Sequence, residues 1–142
     1  MRGWFLVMVS AGLLLSACSG EDADPASVIE DFVTAYNADD LDAVMELFAD
    51  DAMLSGNPFE FSDGPWVGVS IRSLFFTAMD FAAENAWTIS DVEVDGKTVT
   101  WNQVYRTTIP GLEATCDNGH RAVVEGGKIE SWAWPIETVE CP

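Results

Sequence analysis

WTISDVEVDGKTVTWNQVYRTTIPGLEATCDNGHRAVVEGGKIESWAWPIETV, residues 87–139, is the stretch that decides the fold. Its apolar residues recur every second position, and Asp95-Gly96, Pro110-Gly111 and Gly126-Gly127 break the run into hairpin-sized pieces. The spacing predicts strands over Trp87–Val94, Thr98–Ile109, Ala114–Glu125 and Lys128–Val139. With a two-residue Gly126-Gly127 turn, His120, Ala122 and Val124 share one sheet face and pair with Ala133, Ser131 and Ile129. Trp132 and Trp134 then fall on the opposite face, near Arg121 and Val123.

Upstream the period is helical. Asp24 caps a helix whose first turn holds Pro25, with Ser27-x-x-Glu30 as an alternative capping box. Val28, Ile29, Phe32, Val33 and Tyr36 form its apolar stripe. Asn37-Ala38-Asp39-Asp40 ends it and caps a second helix with the stripe Leu41, Val44, Met45 and Phe48. Asp50-Asp51 closes that helix, and Ala52–Leu54 reads as a short strand. Residues 55–68 read as loop, with Phe59, Phe61 and Trp66 placed to plug one end of the sheet. A third helix is expected from Ser70 to Asn85, apolar nearly all round through Ile71, Leu74, Phe75, Phe76, Ala78 and Met79. Helices followed by antiparallel strands make an α+β domain, with three N-terminal helices on one face of a curved antiparallel sheet.

The chain has 142 residues, with 24 acids against six Lys and Arg, a formal net charge of −18 and one His. One domain fits that length, and 49% apolar residues supply a core. So acidic a surface repels phosphate backbones, which argues against nucleic-acid binding. Three Cys without metal-ligand spacing beside a single His argue against a structural zinc site, and no cofactor is expected. Asp39, Asp40, Asp42, Asp50 and Asp51 gather at helix ends, where they cap and meet the dipole; no spaced calcium loop is visible.

Met1–Arg2 is a short positive region, and the apolar run Trp4–Leu15 is short for a membrane span. It ends in Leu15-Ser16-Ala17-Cys18, which resembles the bacterial lipobox. The resemblance implies a signal peptide over residues 1–17, diacylglycerol and a further acyl chain such as palmitate on Cys18, and a lipidated flexible tether over residues 18–26. It places the domain, residues 27–142, in the bacterial cell envelope, lipid-anchored to a membrane and facing outside the cytoplasm. Disulfides persist in such a compartment. Cys116 and Cys141 are therefore either a bridge or two small buried thiols.

The order helix, helix, short strand, helix, four strands resembles the nuclear transport factor 2-like superfamily, nearest its SnoaL-like and ketosteroid-isomerase-like branches. The matching text is Tyr36-Asn37-Ala38-Asp39-Asp40-Leu41-Asp42-Ala43-Val44 with Leu47-Phe48-Ala49-Asp50-Asp51-Ala52, then Trp66-Val67-Gly68-Val69-Ser70-Ile71-Arg72 and Gly127-Lys128-Ile129. It implies a cone-shaped half-barrel with an apolar pocket between sheet and helices, here walled by Phe32, Tyr36, Phe48, Trp66, Leu74 and His120.

The isomerase chemistry does not carry over. Counting along the match, the oxyanion-donating Tyr position holds Phe32, and the general-base Asp position holds Gly56. The second donor position falls near His120. With base and polarising acid missing, no catalytic set is assigned. His120 has three open readings: a satisfied structural residue, a ligand contact, or a catalytic group with Asp117 or Arg106 in a cyclase, isomerase or hydrolase. Trp132 and Trp134 are either a homodimer face on the outside of the sheet, as in a structural dimerisation domain, or half-exposed packing under Arg121. The leading expectation is a membrane-tethered lipoprotein whose domain binds a small apolar ligand or a partner.

Overall fold

Asp24 accepts a hydrogen bond from the Ala26 backbone N–H, and Pro25 opens helix α1, Pro25–Asn37, in this computed structural model, which describes residues 23–56, 65–135 and 138–141. The signal peptide, Cys18, most of the tether, Phe59 and Phe61 lie outside the described residues. The last two residues of the expected tether, Pro25 and Ala26, are already helical.

Asp40 caps α2, Leu41–Glu46, by accepting from the Ala43 N–H. This helix is shorter than the apolar spacing predicts. Phe48 belongs instead to strand β1, Phe48–Ser55, and its side chain enters the core from the sheet. Strand β2, Trp66–Val67, pairs with the end of β1. Helix α3 covers Val69–Met79 and stops six residues before the predicted Asn85. Ala82 is already paired with Thr107, so strand pairing overrides helical propensity there. Ile71 and Phe75 are the fully buried positions of α3, while Val69 and Phe76 face outward.

The remaining strands are β3 (Ala82–Asp95), β4 (Thr98–Thr107), β5 (Ala114–Glu125), β6 (Lys128–Ala133) and β7 (Thr138–Val139). The sheet order is β2-β1-β6-β5-β4-β3, with β7 paired to β5. All pairs are antiparallel except β1 with β6, which run parallel. The expected single strand Lys128–Val139 breaks near Pro135, which has no N–H for a ladder. Cys116 is joined to Cys141 across a Cα separation of 5.3 Å, tying β7 to β5. No described helix is long and apolar enough to cross a membrane.

Two β-bulges set which side chains face inward. The β4–β5 register shifts between Trp101 and Asn102, so that Trp101 pairs with His120 and Asn102 with Asn118. Gly119, at φ +86°, is the extra residue, and its N–H is held by the Asn102 side chain. Asp117 and His120, three residues apart, thereby both turn inward. The second bulge lies in the β5–β6 hairpin, between Val123 and Val124. Val124 pairs with Ile129 but Ala122 pairs with Trp132. That one-residue shift corrects the expected face of the tryptophans: Trp132 is 1% exposed and Trp134 7%. A dimer contact made by these two indoles has no exposed surface to use, and they do not pack under Arg121, which is exposed on the other face.

Candidate functional site

The interior of the cone is filled. Phe32, at the centre, meets Trp132 edge-on at 4.9 Å between ring centroids and touches Phe48, Phe75 and Trp87. An unfilled core cavity costs about 24 cal/mol per Å³, and seven aromatic residues remove most of it: Phe32, Phe48, Phe75, Trp87, Trp101, Trp132 and Trp134. The expected pocket wall is therefore largely core. Phe32, Phe48 and His120 are buried away from any opening, and Trp66 packs half-buried against the same cluster. Of the six predicted lining residues, Leu74 lines the open space that remains.

That space lies at one end of the cone, where α3 faces β4. A groove of about 220 Å³ is bordered by Leu74, Thr77, Ala78, Phe81, Thr107 and Ile109, with Tyr105 at its back. A smaller cavity of about 10 Å³ lies deeper, and Leu74, Ala78 and Tyr105 border both. Phe75, Trp87, Gln103, Thr115, Asp117 and Trp134 complete its wall. The alternation along β4 aims these groups: Val99, Trp101, Gln103, Tyr105 and Thr107 are all buried on one face. Gln103 and Tyr105 were therefore legible as inward residues from the period of two. Trp87 and Trp134 were not, because bulges precede both.

Two polar chains run around the cavity. Tyr105 Oη donates to the Ala78 carbonyl at 2.9 Å, so the Tyr36 hydroxyl, 2.9 Å from Tyr105 Oη, is the donor of their mutual bond. Burial raises the Tyr36 hydroxyl far above the usual phenol range, with the Tyr105 oxygen adding to the effect, so it stays a neutral donor. On the other side, Trp101 Nε1 donates to Gln103 Oε1, and Gln103 Nε2 donates to Asp117 Oδ2, each at 3.4 Å.

His120 stacks on Trp101 and accepts at Nδ1 from Trp132 Nε1–H, 3.0 Å away. Indole is a donor only, so the single proton of the neutral imidazole sits on Nε2. Nε2 faces Asp117 Oδ2 at 3.7 Å, beyond hydrogen-bond length. Burial holds the His120 pKa below its usual value, and the nearby Asp117 opposes that shift without cancelling it. In the neutral form Nδ1 uses its lone pair on Trp132 and Nε2 carries the proton, without a hydrogen-bond partner among the described residues, so His120 has no free lone pair to serve as a general base. Arg106 is exposed on the outer face of β4 and does not reach the cavity. The residue that does reach it is Asp117, 2% exposed, with Oδ1 unpartnered among the described residues.

Two of the three positions counted from the isomerase pattern hold no acid or base. Phe32 is buried hydrocarbon, and a Cβ on Gly56, at φ +78°, would collide with the Trp134 carbonyl oxygen.

The profile of the SnoaL-like domain matches residues 29–132. The chain belongs to this family. A search of curated proteins finds no match. Among solved structures, an uncharacterised cystatin-fold protein from Novosphingobium aromaticivorans superposes with TM-score 0.66 at 21% identity, covering 79% of this chain and 97% of its own. A candidate polyketide cyclase from Sinorhizobium meliloti gives TM-score 0.60 at 18% identity, covering 77% and 94%. A Mycobacterium tuberculosis protein solved in complex with estradiol-17beta-hemisuccinate gives 0.65 at 14%, covering 78% and 92%. At these identities the likeness is one of fold, and SnoaL-like folds host unrelated activities.

Proposed function

We propose that this SnoaL-like domain binds a small, mainly apolar molecule in the groove between α3 and β4, while lipid on Cys18 holds it at a membrane of a bacterial cell envelope, outside the cytoplasm. The groove of about 220 Å³, walled by Leu74, Ala78, Phe81 and Ile109, carries the binding reading. The steroid derivative bound by the Mycobacterium tuberculosis protein is consistent with it. Phe32 and Gly56 leave the isomerase reaction without its donor and base.

The groove and the first described residue, Ala23, lie at different ends of the sheet. Ala23 leaves the domain beside Gly127, at the end of the sheet where β5 turns into β6. The groove lies at the other end of β4, ten residues and roughly 30 Å away at about 3.3 Å per residue.

Saturable fluorescence enhancement of N-phenylnaphthylamine, abolished by Ala78→Phe with circular dichroism unchanged, is the expected result. Absence of saturation in the wild type overturns the binding reading. Cys18→Ser is expected to move the protein from the membrane to the soluble fraction; sedimentation with membranes regardless overturns the anchor.

A second reading, a cyclase- or isomerase-type step with Asp117 as base, is favoured by Asp117 lining the deep cavity with its Oδ1 unpartnered among the described residues. Chemical change of a captured ligand, lost in Asp117→Asn while binding persists, would establish it.

A further inference from the structure

On the outer face of the sheet, three neighbouring strands bring two rows of side chains together. Met53 of β1, Ser131 of β6 and Val123 of β5 stand opposite one another, as do Ser55, Ala133 and Arg121. Neighbouring strands lie about 4.8 Å apart, so the backbones of Ser55 and Arg121 flank Ala133 at a separation of roughly 10 Å. Ala133 carries only a methyl group, and the side chains around it border a hollow of about 240 Å³. The groove beside α3 is on the other face of the sheet, where Tyr105 and Thr107 turn inward.

Arg121 gives the hollow its chemistry. The chain has 24 acids against six Lys and Arg, so a cation without a carboxylate partner runs against the composition. Arg72 is paired with Asp42, Lys97 with Glu125, and Lys128 donates to the Glu46 carbonyl. The Arg121 guanidinium is exposed and has neither an ion pair nor a hydrogen bond among the described residues. The Ser55 and Ser131 hydroxyls are unpartnered among the same residues. Asp51, Glu93 and Glu130 are nearby in the ladder, yet they neither border the hollow nor pair with Arg121.

A guanidinium presents paired N–H groups that match the two oxygens of a carboxylate, and each serine adds an O–H donor. The occupant's charge is set by counting. Arg121 is the one cation bordering the hollow among the described residues. Arg106 is six residues along β4 from Thr100, the partner of Arg121, and so roughly 20 Å away at about 3.3 Å per residue. The net charge of −18 opposes a second negative charge. Met53 and Val123 supply an apolar flank.

We propose that this hollow binds a small, singly charged carboxylate with an apolar body. The carboxylate lies over the Ala133 methyl and accepts hydrogen bonds from Arg121 and from the Ser55 and Ser131 hydroxyls, and the body rests between Met53 and Val123. The site is separate from the groove beside α3 and stands without it.

The test titrates the full chain calorimetrically with benzoate, benzamide and phenyl phosphate. Benzoate is expected to bind about tenfold more tightly than benzamide, the advantage of hydrogen bonds between charged partners, and to weaken as salt is added. Arg121→Gln is expected to erase that difference. Ala133→Leu, which fills the hollow and keeps the cation, is expected to abolish benzoate binding. Ala78→Phe, which blocks the groove on the other face, is expected to leave it unchanged. Benzoate binding that survives Arg121→Gln overturns the proposal, as does equal affinity for benzamide or a preference for phenyl phosphate. Loss of benzoate binding in Ala78→Phe places the acid in the groove and also overturns it. Absence of saturable binding of benzoate overturns it too, leaving Arg121 as a solvated surface charge.

Discussion

Trp132 donates its indole N–H to Nδ1 of His120 across 3.0 Å, with both side chains buried on the inner face of neighbouring strands. This bond gives the imidazole its tautomer and requires it to be neutral, because a protonated Nδ1 has no lone pair to offer.

A pH dependence of stability follows. The folded-state pKa of His120 lies below its ordinary 6.5, with burial the leading cause. Between the folded and unfolded pKa values the unfolded chain binds more protons, so stability falls as pH drops below about 6.5 and is fully present above it. Urea midpoints measured from about pH 7 to pH 5 should decline more steeply for the wild type than for His120→Gln. Parallel slopes would mean that His120 contributes no linkage.

Phe32→Tyr restores a hydroxyl at the position where the isomerase pattern calls for one, and it should not restore activity. The new oxygen would lie among Phe48, Phe75, Trp87 and Trp132, with a cost of about 1–3 kcal/mol for an unpaired buried hydroxyl. A lowered melting temperature without steroid isomerisation is the expected outcome. Measurable isomerisation would show that the cone interior opens.

The tyrosine pair should respond asymmetrically. Tyr36→Phe removes one donor and should cost about 0.5–1.5 kcal/mol. Tyr105→Phe removes the acceptor of the Tyr36 hydroxyl and leaves that donor stranded, at about 1–3 kcal/mol. Chemical denaturation of the two single variants checks the order.

The Cys116–Cys141 bridge closes a 25-residue separation. Cys141→Ser should lower stability by about 3 kcal/mol under oxidising conditions. The variant should then melt identically with and without dithiothreitol, whereas the wild type should not.

Much of the architecture was legible. Asp24-Pro25 and Asp40 announced their helices through capping chemistry that is local in the chain. Asp95-Gly96 and Gly126-Gly127 announced hairpins because Gly reaches positive φ without strain. The alternation from Val99 to Thr107 showed which side of β4 is buried. The candidate site was less legible. Phe81 and Ile109 looked like parts of a helix and a strand end, and only the early stop of α3 makes them walls of one groove. His120 drew attention as the single histidine, yet the residue at the cavity is Asp117 beside it.

The amino-acid sequence by itself determined the order of the elements, their caps and turns, and the acidic surface, because each depends on residues close together in the chain. The tertiary structure alone decided that Trp132 and Trp134 point inward, that aromatic rings fill the cone, and that Asp117 is buried with one oxygen unpartnered among the described residues. The physical reason is parity. Side chains alternate along a strand, so one extra residue at Gly119 or in β6 reverses every face beyond it. Where such a residue is inserted depends on how the curved sheet closes against the helices, a condition set by all the strands together.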